Sequence, residues 1–275
     1  MNDTLAFNNT DVPECYVGAW RKHSCSEQAF WLQSHRLHAS LVIPADRPNF
    51  CGRQAWADFS DAELMQLAHQ GGVAGACIAQ ADILHRRRQF DYLPRRGEPN
   101  LRRMQRTGLQ LTDATLDGRD ACVWELLADA QQEIVALRFQ DAGMGPDSDD
   151  QRKGYLLVIG DYFLFVRDRL VFTQQAESLA ILAECKHLDR AQLIELLDFE
   201  ISFGTRPKDD SDWLIQLSTI PYREGQPLLN NPTLYRIASE GQPAPHAIRW
   251  SRKNFLRYWS LDEWQKTSPT KHALP

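Results

Sequence analysis

The chain of 275 residues contains six cysteines but no C-x-x-C pair, and no histidine cluster lies near any of them. The usual tetrahedral zinc spacings are therefore missing. No apolar run approaches the ~20 residues that span a bilayer. The opening MNDTLAFNNTDVPE has no basic segment followed by an apolar one, so a secretory leader is not expected. A G-x-S-x-G elbow, a phosphate loop, a dinucleotide fingerprint and an H-E-x-x-H helix are all lacking. Positive charge is not in excess either: the formal net charge is −5 and the pI about 5.9. That balance gives no global pull toward nucleic acid or anionic membrane. The expectation is a cytosolic protein with reduced thiols and no metal, cofactor, membrane or nucleic-acid partner. The oligomeric state stays open.

What remains is an ordinary globular composition, 43% apolar and 24% charged, in a chain long enough for two domains. Alternating, aromatic-rich segments dominate it. A Gly-x-Trp strand at Gly18–Trp20, followed by the cationic pair Arg21 and Lys22, and then Ala29–His35 and Leu37–Ile43 read as three strands, closed off by Ala45–Pro48. Ser60 with Glu63 forms a capping box, which predicts a helix over Asp61–His69. Strands follow at Val73–Asp82, His85–Tyr92, Leu101–Gln110 and Leu111–Leu116, then a turn at Asp117–Gly118. The pattern restarts at Ala121, with Trp124 in a strand. Glu177–Lys186 and Arg190–Leu197 read as helices, and Phe199–Phe203 and Trp213–Ile220 as later strands. A loop is expected over 141–152, a strand over Thr233–Ala238, a final strand over His246–Trp259 and a short helix at Leu261–Lys266. Both halves run three strands, helix, strands.

The pieces Gly18–Arg21, Phe30–Gln33, Ile43–Pro48, Gly160–Phe163 and Phe199–Gly204 resemble the calycin superfamily of lipocalins and fatty-acid-binding proteins. More narrowly, they resemble an uncharacterised bacterial and fungal family built of two tandem lipocalin-like barrels. The resemblance implies a mainly β fold of two antiparallel barrels with short added helices, an N-terminal barrel over 1–116 and a C-terminal one over 117–275. It implies that Trp20 plugs the closed end of the first barrel with an arginine across its indole, Arg21 being the adjacent cation. Trp124 takes the corresponding structural place. It implies no activity.

A small closed barrel holds one small ligand. The segment 85–106 carries eight arginines, and guanidinium groups suit carboxylates and phosphates. His85 and Arg87 share one face of that strand, Arg86 and Arg88 the other. We expect ligand contacts from Arg87, His85, Trp31 and Gln33 in the first barrel, and from Arg167 and Arg223 in the second. Glu200 points inward if the Phe199–Phe203 face packs outward, and a buried carboxylate there is a candidate acid or base. Pairing of Glu200 with Arg167 or Arg223 is the plainer alternative. Three functions stay open: a binding protein for a small, partly apolar, anionic molecule; a calycin-fold enzyme performing cyclisation, isomerisation or hydration; and an interaction scaffold with filled barrels.

Overall fold

Alternation along the first strands sets the architecture. The computed structural model describes residues 11–93, 100–139, 152–171, 176, 178–207, 212–229, 246–249 and 256–265. Eight antiparallel strands close into a barrel: β1 (Gly18–Lys22), β2 (Glu27–Gln33), β3 (Leu37–Pro44), β4 (Gly71–Gln80), β5 (Ile83–Asp91), β6 (Asn100–Thr107), β7 (Gln110–Thr115) and β8 (Ala121–Asp129). Each pairs with its neighbour in sequence, and β8 returns to β1. The strand at Ala121, expected to open a second unit, instead closes the first barrel. Helix α1 (Asp61–Leu67) bridges β3 and β4, started by the expected capping box of Ser60 and Glu63.

The second unit is an eight-stranded antiparallel sheet that is open among the described residues. It contains β9 (Ile134–Phe139), β10 (Gly154–Ile159), β11 (Tyr162–Arg167), β12 (Glu200–Thr205), β13 (Trp213–Ser218), β14 (Pro227–Leu229), β15 (His246–Arg249) and β16 (Leu256–Gln265). Its spatial order is β14-β13-β12-β11-β10-β9-β16-β15. The last strand β16 pairs with the first, β9, as β8 does with β1. Helices α2 (Leu179–Lys186) and α3 (Arg190–Leu197) follow the third strand, where α1 stands in the first unit. The C-terminal segment is a hairpin of β15 and β16, so strand replaces the short helix expected at Leu261. The strand expected at Thr233–Ala238, and the loop expected over 141–152 except for Arg152, lie outside the described residues. No helix among the described residues is long and apolar enough to cross a membrane.

Both units bend at a glycine in their fourth strand. The pairing register shifts at Ala74/Gly75 in β4 and at Phe203/Gly204 in β12. At each glycine the neighbouring strand comes so close that an added Cβ would overlap a backbone carbonyl, Arg87 O in one case and Leu214 O in the other.

The outer wall of β2–β4 is apolar because it is a second core. Leu32, Leu37, Ala39 and Leu41 are fully buried there. Phe30 stacks on Phe203 at 3.8 Å, and Tyr92 meets Phe199 edge-on at 5.8 Å. Strands β2 and β3 lie against β10 and β11, and α1 against α3, so like elements face like elements. Arg47 pins the seam by donating to Glu224 at 2.5 Å and to the Ser218 carbonyl at 2.8 Å. Gln70 adds a bond to the Thr219 carbonyl at 2.9 Å.

Candidate ligand-binding site

Trp20 closes one end of the barrel. Its ring is fully buried, and its Nε1 donates to the carbonyl of Tyr16 at 3.3 Å. The arginine over that ring is Arg106, 5.5 Å from the centroid. Arg21 does not take this place. It follows Trp20 by one residue, so alternation sends it to the outer face, where it pairs with Glu125 at 2.6 Å.

Strand pairing then determines what else enters the barrel. Trp20 is opposite Trp31, Trp31 opposite Ser40, and Gln33 opposite His38. Gly75 continues the last row to Arg88, and Cys77 lies opposite Arg86. Leu84, Arg86 and Arg88 therefore face inward, together with Arg102, Met104, Asp113 and Trp124. Arg86 lies 4.1 Å over the Trp31 ring, and Trp124 meets Trp31 edge-on at 5.5 Å. Arg86 donates to Asp113 at 2.8 Å and Arg102 donates to the same carboxylate at 2.5 Å. The other carboxylate touching Arg102, Asp120, stands in solvent with its side chain 70% exposed. The buried part of this chain thus carries two cations against one anion.

Five atoms on this inward face are buried and have no hydrogen-bond partner among the described residues: Trp31 Nε1, Trp124 Nε1, Arg86 Nε, Gln33 Oε1 and His38 Nε2. Leaving such groups unmade costs roughly 1–3 kcal/mol each. The orientation of Gln33 is set, because its Nε2 donates to the carbonyls of Ser34 and Leu37 at 2.7 and 3.2 Å. His38 bonds the backbone of Arg87. Burial, and then the charges of Arg86 and Arg88, hold its pKa well below the usual histidine range. Burial likewise pushes the Cys77 thiol up to about 12, so it is an inert neighbour rather than a nucleophile.

A cavity of about 360 Å³ lies at the opposite end from Trp20, lined among others by Ser40, Val42, Val73, Arg88, Asp91 and His69. Ser40 is two residues from His38, and Arg88 two from Arg86, on the same inward faces. Cavity and unpartnered polar atoms therefore occupy successive levels of the barrel.

Of the residues expected to touch a ligand, Trp31 and Gln33 are in this interior. Arg87 and His85 are not: both lie on the outer face of β5, and the Arg87 side chain is exposed. What Arg87 offers the interior is its carbonyl oxygen, brought in by the bulge at Gly75. Trp124, expected to be structural, lines the site. Arg86, which alternation sets on the other face of that strand from Arg87, is here together with His38, Asp113 and Arg102, none of them among the residues expected to touch a ligand.

Glu200, Arg167 and Arg223 do come together, on the face of the second sheet turned away from the barrel. Glu200 accepts from Arg223 at 3.0 Å, from Arg167 at 3.2 Å and from the Ser202 hydroxyl at 2.9 Å. Burial alone would raise its pKa, but the two guanidiniums and the hydrogen bonds outweigh burial and hold it below the usual value. Its pKa shift is thus opposite to the upward one that burial without partners would produce. Among the described residues no three His, Cys, Asp or Glu groups gather as a metal site.

No protein-family model and no curated protein matches the sequence. In backbone, the chain is similar to an uncharacterized protein of Saccharomyces cerevisiae, YLR301w, with a TM-score of 0.48 and 11% identity over 90% of this chain and 98% of that one.

Proposed function

We propose that the first barrel binds a small, partly apolar, anionic molecule. The observation that carries this reading is the set of five buried, unpartnered polar atoms on one inward face. Three of them are N–H donors beside a guanidinium pair that shares one buried carboxylate, so a negative group fits best. The apolar remainder of the ligand extends past Val42 and Val73 into the cavity. In the same reading the chain is two lipocalin-like units joined between β8 and β9, the second a barrel parted between β14 and β15. All six cysteines are free thiols, which agrees with a reducing, cytosolic setting.

The enzyme reading is weaker because Glu200 is held as a satisfied carboxylate. The scaffold reading is weaker because the exposed large apolar residues, such as Leu109 and Leu170, are scattered along the chain. The test is native mass spectrometry of freshly purified protein, with a titration of tryptophan fluorescence by decanoate. A retained adduct or a saturable fluorescence change, lost in Arg86→Leu, is expected. Absence of both in the wild type sinks the proposal.

A further inference from the structure

We infer that the ligand is a hydroxy acid or acylamino acid, one that carries a hydroxyl or amide N–H a few bonds from its carboxylate. This rests on the binding proposed for the first barrel and goes further by specifying the chemistry of the head group.

The unpartnered atoms are of two kinds. Trp31 Nε1, Trp124 Nε1 and Arg86 Nε are donors, which one carboxylate can satisfy together with the excess positive charge. Gln33 Oε1 and His38 Nε2 are acceptors, and a carboxylate cannot serve them. Gln33 has its amide nitrogen committed to two carbonyls, so its oxygen is the free end. His38 has its other ring nitrogen committed to the Arg87 backbone, and Arg86 and Arg88 oppose a second ring proton. An anion alone would leave both acceptors buried and unmade.

The geometry suits one molecule spanning both kinds. Gln33 and His38 are cross-strand partners, so their acceptors lie side by side. Trp31 is two residues from Gln33 on the same face of β2, roughly 7 Å along the strand. That distance matches a carboxylate and a donor separated by a few bonds. The apolar tail leaves toward the cavity and its lining of Val42, Val73 and Leu93.

The test is a calorimetric titration of the full-length protein with decanoate, 2-hydroxydecanoate, 3-hydroxydecanoate and the methyl esters of the two hydroxy acids. At least one hydroxy acid should bind tenfold or more tightly than decanoate, and its ester should bind more weakly than the acid. His38→Phe should abolish the preference for that hydroxy acid over decanoate, the two being compared in the same variant. Gln33→Met is the second variant should His38→Phe not fold. Arg86→Leu should weaken all three acids. Equal binding of decanoate and both hydroxy acids overturns the inference, because water then satisfies the acceptors. So does decanoate binding accompanied by uptake of one proton, because His38 would then supply the missing donor. In both cases the proposed binding of anions survives. If none of the acids binds, the binding proposal itself fails and the inference falls with it.

Discussion

The guanidinium of Arg86 lies flat over Trp31, 4.1 Å from the ring centre, while its Nη2 donates to Asp113 at 2.8 Å. One side chain thus joins the aromatic floor of the barrel to its buried ion chain. Asp113 is the shared anion of that chain, with Arg102 on its other oxygen. Asp113→Asn leaves Arg86 without its countercharge and Arg102 with only the exposed Asp120. It should cost about 3–5 kcal/mol, read as a lower urea midpoint.

Acid should destabilise the protein in two stages. His38 is buried neutral with its pKa depressed by burial and by Arg86 and Arg88. The unfolded chain therefore takes up a proton first, and stability falls by about 1.4 kcal/mol per pH unit below roughly pH 6.5. Asp113 and Glu200 act lower down. Burial opposes ionisation of both, yet Arg86 and Arg102 hold Asp113, and Arg223 and Arg167 hold Glu200, below their ordinary values. Their contribution is complete above about pH 5 and disappears as pH falls through the depressed native values. Urea midpoints measured from pH 8 to pH 3 should show both stages, and His38→Gln should reduce the upper one to the smaller contribution of His85, whose pKa is also lowered by burial and by Arg87.

Gly75 should tolerate no side chain. An added Cβ would overlap the carbonyl of Arg87 and crowd the Gln89 amide. Relief requires undoing the bulge that carries that carbonyl to His38. Gly75→Ala should lower stability by about 3 kcal/mol, at the upper end of overpacking effects. Gly204→Ala, which meets Leu214 O and Phe163, should behave alike. Thermal melts of the two variants provide the comparison, with Gly71→Ala as a control, where an added Cβ meets only Val42 at an ordinary 3.6 Å.

Replacing Glu200 by Gln should separate the two units functionally. The change leaves Arg167 and Arg223 facing a neutral amide at a buried site. A loss of about 3–5 kcal/mol is expected. Retention of a ligand by the first barrel should be unaffected under conditions where the variant stays folded. Loss of the ligand in this variant alone would move the site to the second sheet.

Much of this organisation was legible in sequence. The Ser60–Glu63 capping box marks the start of α1, and Arg190–Leu197 is helical as its pattern predicts. The resemblance carried in part by the Gly-x-Trp strand implies a plugged barrel end, and Trp20 is fully buried. Phe199, Ile201 and Phe203 face opposite Glu200 and Ser202 as alternation requires. The inward face of β5 was not legible, because HRRRQF offers an arginine on either choice. Leu84, fully buried, was the residue that could have decided it, since it shares a face with Arg86 and Arg88. Nor does alternation reveal a bulge: beyond Gly75, Asp91 changes faces and joins Arg88, with which it pairs at 3.0 Å. Barrel closure by β8 depends on pairing across more than 90 residues, which no local pattern encodes.

Like elements facing like elements is the geometry of a two-fold interface between identical partners. A chain of half this length, carrying one unit, would bury the same apolar wall only by pairing with a second copy of itself. Joining two such faces in one polypeptide makes their encounter intramolecular and independent of concentration. It also lets the two faces and the units behind them differ. The first unit keeps unsatisfied polar atoms inside its barrel. The second has surrounded its buried carboxylate, Glu200, with Arg167, Arg223 and Ser202. In the binding proposed for the first barrel, one half holds the cargo while the other serves as its permanent wall.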